Sequence, residues 1–121
     1  MKICELDYLK SHAPNNPKFV EEMIQMFLKE TPAYLAGIKK SLAASDWEDV
    51  HVNAHKIKPS INFLGLPADI ADAIKLINEY ATTQQHLDLI PNLFLKVETA
   101  MQLAYIELAD ELKNQEAKGT K

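Results

Sequence analysis

The sequence predicts an all-α protein, an antiparallel up-and-down four-helix bundle with a short extra helix at the N-terminus. Apolar residues recur at steps of three and four along most of the chain, and no segment shows the sustained two-residue alternation of a strand. Only 3 glycines and 6 prolines occur among 121 residues, of which 47% are hydrophobic. Such a chain has few turns and can bury one core, so residues 1–121 are predicted to form a single domain.

The N-terminal half is predicted to contain the short helix and the first long helix. The short helix covers residues 5–12. The stretch 15–17, Asn-Asn-Pro, marks the start of the long helix, because proline is favoured in the first helical turn. Thr31 and Pro32 are predicted to kink this helix or restart it, since proline cannot donate to the preceding turn. The apolar pattern then continues as far as Leu42.

The second long helix is predicted to run from Ser45 to Gly65. Ser45 and Glu48 fit the S-x-x-E capping box, in which each residue bonds to the backbone of the other. Its apolar positions alternate in steps of three and four, the pattern of a buried seam in a helix bundle. The residues of this seam are Trp47, Val50, Ala54, Ile57, Ile61 and Leu64.

Two further helices complete the predicted bundle. Pro67 starts the third, and a polar turn over residues 82–85 ends it. The fourth has helically spaced apolar residues between Ile90 and Leu112. Residues 113–121 are polar and are predicted to form a flexible tail. Short loops between long helices are typical of antiparallel neighbours.

Charge and composition exclude several classes of function. The net charge is −4, and all 13 basic residues are lysine, whereas nucleic-acid contacts favour arginine. No apolar run approaches 18 residues, so we expect neither a membrane span nor binding to nucleic acid. The single cysteine, Cys4, and the lack of an apolar leader at the N-terminus predict a cytoplasmic protein. The start at Met1 and the short polar tail favour a free-standing protein over an excised domain.

His55 is predicted to lie on the water-facing side of the second helix. At about 100° per residue, it points roughly 130° away from the middle of the seam. Lys58 follows at i+3 and is therefore its neighbour on the helix surface. Pro59 has no N–H for the carbonyl of His55, and a proline inside a helix costs about 3 kcal/mol. We therefore expect the helix to bend over residues 55–59 and to present His55 on the convex side.

Apolar side chains also project away from the seam near the histidine. Val52, Pro59 and Phe63 lie on this outer side of an unbent helix, as expected for a docking patch. A bend at Pro59 would instead return Phe63 to the core. The sequence leaves both placements of Phe63 open.

The stretch from Ala54 to Lys58, A-H-K-I-K, resembles the motif of histidine-containing phosphotransfer (HPt) domains. That motif reads A-H-x-L-K-G-S, with a glycine ten residues after the histidine. Ser60 and Gly65 fall into the same register, whereas Pro59 stands where the motif has glycine. The resemblance extends to the L-x-Y-L segment near the N-terminus and to the F-x-x-E-M-I-x-x-F pattern of the first long helix.

The resemblance implies a phosphorelay intermediate. His55 would accept a phosphoryl group from an aspartyl phosphate on one receiver domain and pass it to another, and Lys58 would give electrostatic support. The expected partners are response-regulator receiver domains or a hybrid sensor histidine kinase, with Mg²⁺ on the receiver, no cofactor in this chain and no kinase activity of its own. The chain would be a monomer. The candidate docking residues are His51, Val52, Pro59, Asn62 and Phe63.

Two other functions stay open at this point. The chain could be a helical scaffold in which His55 has no chemical role. It could also bind a metal ion through His51 and His55, whose i, i+4 spacing permits chelation on one helix. A di-iron bundle, however, needs Glu-x-x-His ligands that point inward from two facing helices. The sequence has this spacing only at Glu48 and His51, and His51 lies off the seam.

Overall fold

The computed structural model describes residues 3, 4, 6 and 16–119. These residues form four long helices and one 3-10 turn, without a strand. The all-α prediction is therefore confirmed. The predicted helix over residues 5–12 lies outside the described residues, apart from Leu6. In chain order, the elements are α1 (Pro17–Ala43), α2 (Trp47–Phe63), α3 (Ala68–Thr83), the 3-10 turn (Leu87–Leu89) and α4 (Ile90–Gly119).

The four helices pack as a closed bundle. Each helix contacts the next one along the chain, and α1 also contacts α4. The connections between helices are short, so consecutive helices run antiparallel. None of the helices in the described ranges is long and apolar enough to cross a lipid bilayer.

Helix α1 continues without a break through Pro32, so the predicted alternative of a restart at this point is wrong. The buried Thr31 hydroxyl donates to the carbonyl of Phe27 at 2.5 Å and lies 2.8 Å from the Tyr105 hydroxyl on α4. Proline removes one backbone hydrogen bond from the helix. The contact with α4 lies beside this proline, and the sequence pattern of α1 alone does not reveal that contact.

The cap of α2 lies one residue later than predicted, because it is Asp46 and not Ser45, and the helix itself begins at Trp47. The Asp46 carboxylate accepts a hydrogen bond from the N–H of Asp49 at 3.2 Å. Ser45 instead lies in the turn that follows α1: it has a φ of 54°, and the N–H of Asp46 bonds back to the carbonyl of Ser41 at 2.9 Å. Serine and aspartate are both good caps. Because the connection between α1 and α2 is short, Ser45 forms the turn after α1 and only Asp46 is placed to cap α2.

The core lies between the four helices, and the predicted seam of α2 is confirmed. The seam residues Val50, Ala54, Ile57, Ile61 and Leu64 are at most 1% exposed, and Trp47 packs half-buried at the edge of the core. Burial of each large aliphatic side chain contributes about 1.5–3 kcal/mol. This strong anchoring fixes which side of α2 faces water.

Helix α4 is longer than the apolar pattern predicted. It runs to Gly119, through most of the segment 113–121 that was expected to form a tail. No glycine or proline interrupts α4 between Pro91 and Gly119, so no local signal stops it earlier.

Candidate functional site

His55 lies on the solvent side of α2 because the seam of this helix is buried. Its side chain is exposed and forms no hydrogen bond or ion pair with the residues that the structure describes. Both nitrogens of an imidazole without internal partners are open to a reaction partner. The seam thus fixes the position of His55, while its ring stays chemically available.

An open depression of about 540 Å³ adjoins His55. Its walls come from the second half of α2, where Pro59 and Asn62 are exposed. Phe63 is half-buried and packs against the core while it borders the depression. The structure therefore combines the two predicted placements of Phe63. The residues that line the depression are His55, Lys58, Pro59, Asn62 and Phe63.

Lys58 is the cationic side chain among the residues that line this depression. It is half-buried and makes no ion pair within the described part of the chain. Lys56 is exposed and does not line the depression. A half-buried ammonium without a carboxylate partner can respond to a new negative charge nearby.

His51 and Val52 lie outside the depression. Val52 is 38% exposed on the outer surface of α2. His51 is half-buried, and its Nδ1 contacts Oγ1 of Thr82 at 2.8 Å and Oδ1 of Asn78, both on α3. Its ring centre is 6.3 Å from that of His55. No local pattern in the sequence pairs His51 with Asn78 and Thr82, because they are about thirty positions apart.

Gly65 ends α2, ten residues after His55. Its φ is 62°, and its N–H bonds to the carbonyl of Asn62 at 3.1 Å. The N–H of Leu66 bonds to the carbonyl of Ile61 at 3.3 Å, which completes a Schellman motif. Glycine adopts this left-handed conformation without steric cost. The glycine of the motif is thus explained by the geometry of the helix end.

Pro59 lies within α2, which is continuous from Trp47 to Phe63. The helix therefore does not break at the proline. The bend over residues 55–59 stays a prediction.

Helix α2 is also fixed against α1 on the side away from α3. The Ser41 hydroxyl on α1 contacts Oδ2 of Asp49 on α2. Within α2, the amide of Asn53 donates to the carbonyl of Asp49 at 3.0 Å. A Cβ at Gly37 would come within 3.0 Å of the Asn53 side chain. A side chain at position 37 would therefore require the Asn53 side chain to shift by a few tenths of an ångström. These contacts fix the half of α2 that precedes His55.

In the parts of the chain that the structure describes, no group of three or more His, Cys, Asp or Glu side chains is placed to hold a metal ion. His51 already uses its Nδ1 for the contact with α3. The pair His51 and His55 thus gains no third ligand from the described neighbouring helices.

Known proteins resemble the chain in both sequence and fold. Residues 22–117 match the family model for the Hpt domain. Among solved structures, the chain is similar to histidine-containing phosphotransfer protein B (HptB) from Pseudomonas aeruginosa PAO1. The identity is 18%, the match covers 93% of this chain and 96% of that chain, and the TM-score is 0.78. This likeness shows a shared fold. No curated protein sequence matches the chain.

Hpt domains are histidine phosphotransfer domains of two-component phosphorelays, carriers that interact with receiver domains and kinases and are not kinases themselves. The family model covers more than half of this chain, including the whole of α2 and α3. The chain belongs to the Hpt domain family.

Proposed function

We propose that this chain is a phosphorelay intermediate in which His55 receives a phosphoryl group from an aspartyl phosphate of one receiver domain and passes it to another. The observation that carries the proposal is the imidazole of His55, which is exposed, has no hydrogen-bond partner among the described residues and lies at the edge of the depression that Lys58 also lines. A nucleophile that serves two partner proteins must be reachable from outside the bundle.

His55 would act as the nucleophile. One ring nitrogen attacks phosphorus, a P–N bond forms, and the P–O bond to the aspartate of the receiver breaks, which returns the electron pair to that carboxylate. Histidine suits this task because its neutral form is accessible at physiological pH. Phosphoryl transfer mainly requires positioning and stabilisation of charge, and the buried seam of α2 provides the positioning.

Lys58 would stabilise the charge of the transferred group. Two unit charges 4 Å apart interact by about 4 kcal/mol at an effective dielectric constant of 20. Pairs that are open to solvent usually contribute about 0–1 kcal/mol. Lys58 is half-buried, so its contribution should be modest.

The outer surface of α2 would dock the receiver. Pro59, Asn62 and Phe63 border the depression, and Val52 adds exposed apolar surface one turn before His55. His51 lies at the margin of this surface. The receiver would supply Mg²⁺ and the aspartate, so this chain needs no cofactor and no nucleotide site of its own.

The decisive experiment is a phosphotransfer screen in which phosphorylated receiver domains are mixed with the wild-type protein and with His55→Gln. We expect label on the wild type and none on the variant, with an unchanged circular dichroism spectrum, because His55 makes no packing contact in the core. Label retained on His55→Gln would refute the assignment of His55. A wild-type protein that no receiver labels would favour the scaffold function.

A further inference from the structure

We propose that His51 relays a proton from His55 during phosphoryl transfer, through one water molecule. The inference rests on the proposed role of His55 as the phosphoryl acceptor. The two imidazoles lie one turn apart on α2, with ring centres separated by 6.3 Å and planes tilted by 34°. Of the two, only His51 forms hydrogen bonds to another helix in the described part of the chain.

The contacts of His51 determine which of its nitrogens carries a proton. The hydroxyl of Thr82 lies 2.7 Å from the carbonyl of Asn78, to which it donates, and 2.8 Å from Nδ1 of His51. With its single proton on that carbonyl, its oxygen accepts from Nδ1. The second neighbour of Nδ1 is Oδ1 of Asn78, which is also an acceptor. This arrangement of acceptors places the proton of the neutral His51 ring on Nδ1. In the neutral ring, Nε2 of His51 then has a lone pair and can accept a proton.

The distance between the ring centres excludes a direct hydrogen bond between the two imidazoles. At a centre-to-centre distance of 6.3 Å, the nearest nitrogens of the two rings are about 4 Å apart or more. A direct hydrogen bond is shorter than this, whereas one bridging water spans about 4–5 Å. His55 is exposed and His51 half-buried, so water reaches the space between them.

The relay removes the proton that transfer leaves on His55. When one nitrogen of His55 binds phosphorus, the ring is an imidazolium until the proton on its other nitrogen leaves. The bridging water takes this proton and gives one of its own to Nε2 of His51. His51 becomes an imidazolium, and its positive charge lies one turn from the phosphoryl group. The same steps in reverse accompany transfer to the next receiver.

The charged neighbours of His51 leave it available as a base. Its contacts on α3, the helix packed against it, are the neutral groups of Asn78 and Thr82. Lys75 and Glu79 on α3 and Glu48 on α2 are exposed, and half-buried Lys58 lies two turns further along α2. No described carboxylate forms a salt bridge with His51 that would keep it protonated.

The test uses phosphoramidate, a small phosphoryl donor that labels imidazoles with release of ammonia and needs no docking surface. The key variant is His51→Gln, whose side-chain amide can still donate to Thr82 but cannot accept a proton. His86→Gln is the matched control, because His86 is exposed and lies outside the site. We expect His51→Gln to be labelled about tenfold more slowly near pH 8, and the control to equal the wild type.

The pH dependence separates a proton relay from a structural role. In the wild type, both imidazoles must be neutral, so the labelling rate should fall with the uptake of two protons as the pH decreases. In His51→Gln, the labelling rate should fall with the uptake of only one proton. An unchanged rate, or a slower rate that still depends on two protons, would overturn the relay. Absence of label on the wild type would instead refute the proposed function itself.

A second measurement covers the case in which His51→Gln does not fold. In ¹⁵N-histidine NMR spectra of the wild type, the neutral ring of His51 should be protonated on Nδ1. A ring protonated on Nε2 would have no lone pair on that nitrogen to accept the proton, and the relay would be refuted.

Discussion

At the residue scale, the two lysines beside His55 allow a direct comparison. We expect Lys58→Ala to slow phosphotransfer from a receiver about two- to fivefold, since a partly exposed cation contributes up to about 1 kcal/mol. Lys56→Ala should have no effect, because Lys56 does not line the depression. Single-turnover rates at saturating receiver concentration measure the difference. Equal phosphotransfer rates for Lys58→Ala and Lys56→Ala would show that Lys58 does not support the transfer.

Substitutions of the apolar residues near His55 should distinguish an effect on receiver binding from an effect on the stability of the fold. Val52 is 38% exposed, so Val52→Asp should weaken receiver binding and leave the free energy of unfolding within about 0.5 kcal/mol of the wild type. Phe63 packs against the core, so Phe63→Asp should lower that free energy by about 2 kcal/mol as well. Denaturant unfolding and titration with the receiver give the two quantities. A Phe63→Asp variant of full stability would show that the ring faces solvent.

At the scale of one element, the end of α2 depends on a single residue. Gly65 has a φ of 62°, so Gly65→Ala must adopt a left-handed conformation and should lower stability by about 1–2 kcal/mol. The midpoint of denaturant unfolding measures this loss. Transfer by the folded variant should persist, because we assign Gly65 to the helix end and not to the phosphoryl group. A stable variant that no longer transfers would reverse this assignment.

The same helix contains Pro59, and a substitution there tests the predicted bend of α2. Pro59→Gly restores an N–H that can bond to the carbonyl of His55, so the predicted bend should decrease. We expect the variant to accept phosphate, with an altered preference among receivers. Labelling by several receivers in parallel measures that preference. If the variant folds but accepts no phosphoryl group from any receiver, the proline ring itself would be needed to bind the receiver.

At the scale of the whole molecule, Glu107 on α4 connects the N-terminal segment to the bundle. Its carboxylate accepts hydrogen bonds from the N–H groups of Ile3 at 2.6 Å and Cys4 at 3.0 Å. Burial, and to a lesser degree the negative charge of Glu107, raises the pKa of the Cys4 thiol to about 12. Because thiolate is the reactive form, Cys4 should react slowly with thiol reagents at neutral pH.

This connection gives a prediction for the chain end. Glu107→Ala should raise the labelling rate of Cys4 about tenfold, because loss of bonds to a charged acceptor favours local opening. Asp110→Asn, an exposed neighbour on α4, is the control. Equal labelling of Glu107→Ala and the wild type would show that other contacts hold the segment.

The raised pKa of Cys4 also predicts how stability depends on pH. The pKa of Cys4 in the folded protein lies above its ordinary value of 9.0. The contribution of the protonated thiol to the free energy of unfolding is therefore fully present below pH 9, and it is lost as the pH rises towards about 12. Cys4→Ala should make the unfolding free energy less dependent on pH in that range. A slope that Cys4→Ala leaves unchanged would assign the alkaline loss of stability to other groups.

The sequence by itself determined the features that repeat locally. The spacing of apolar residues predicted the helices, the buried seam of α2 and therefore the outward position of His55, because helix periodicity decides which side of an amphipathic helix is buried. The local motif also located the glycine that ends α2.

Only the tertiary structure decided the features that join distant residues. It showed that Thr31 meets Tyr105 where Pro32 interrupts the bonding of α1, and that His51 is fixed by Thr82 on α3. Periodicity carries no information about such pairs, since they depend on how whole helices pack against one another. For the same reason, the choice between Ser45 and Asp46 as the cap of α2 depended on how α1 ends.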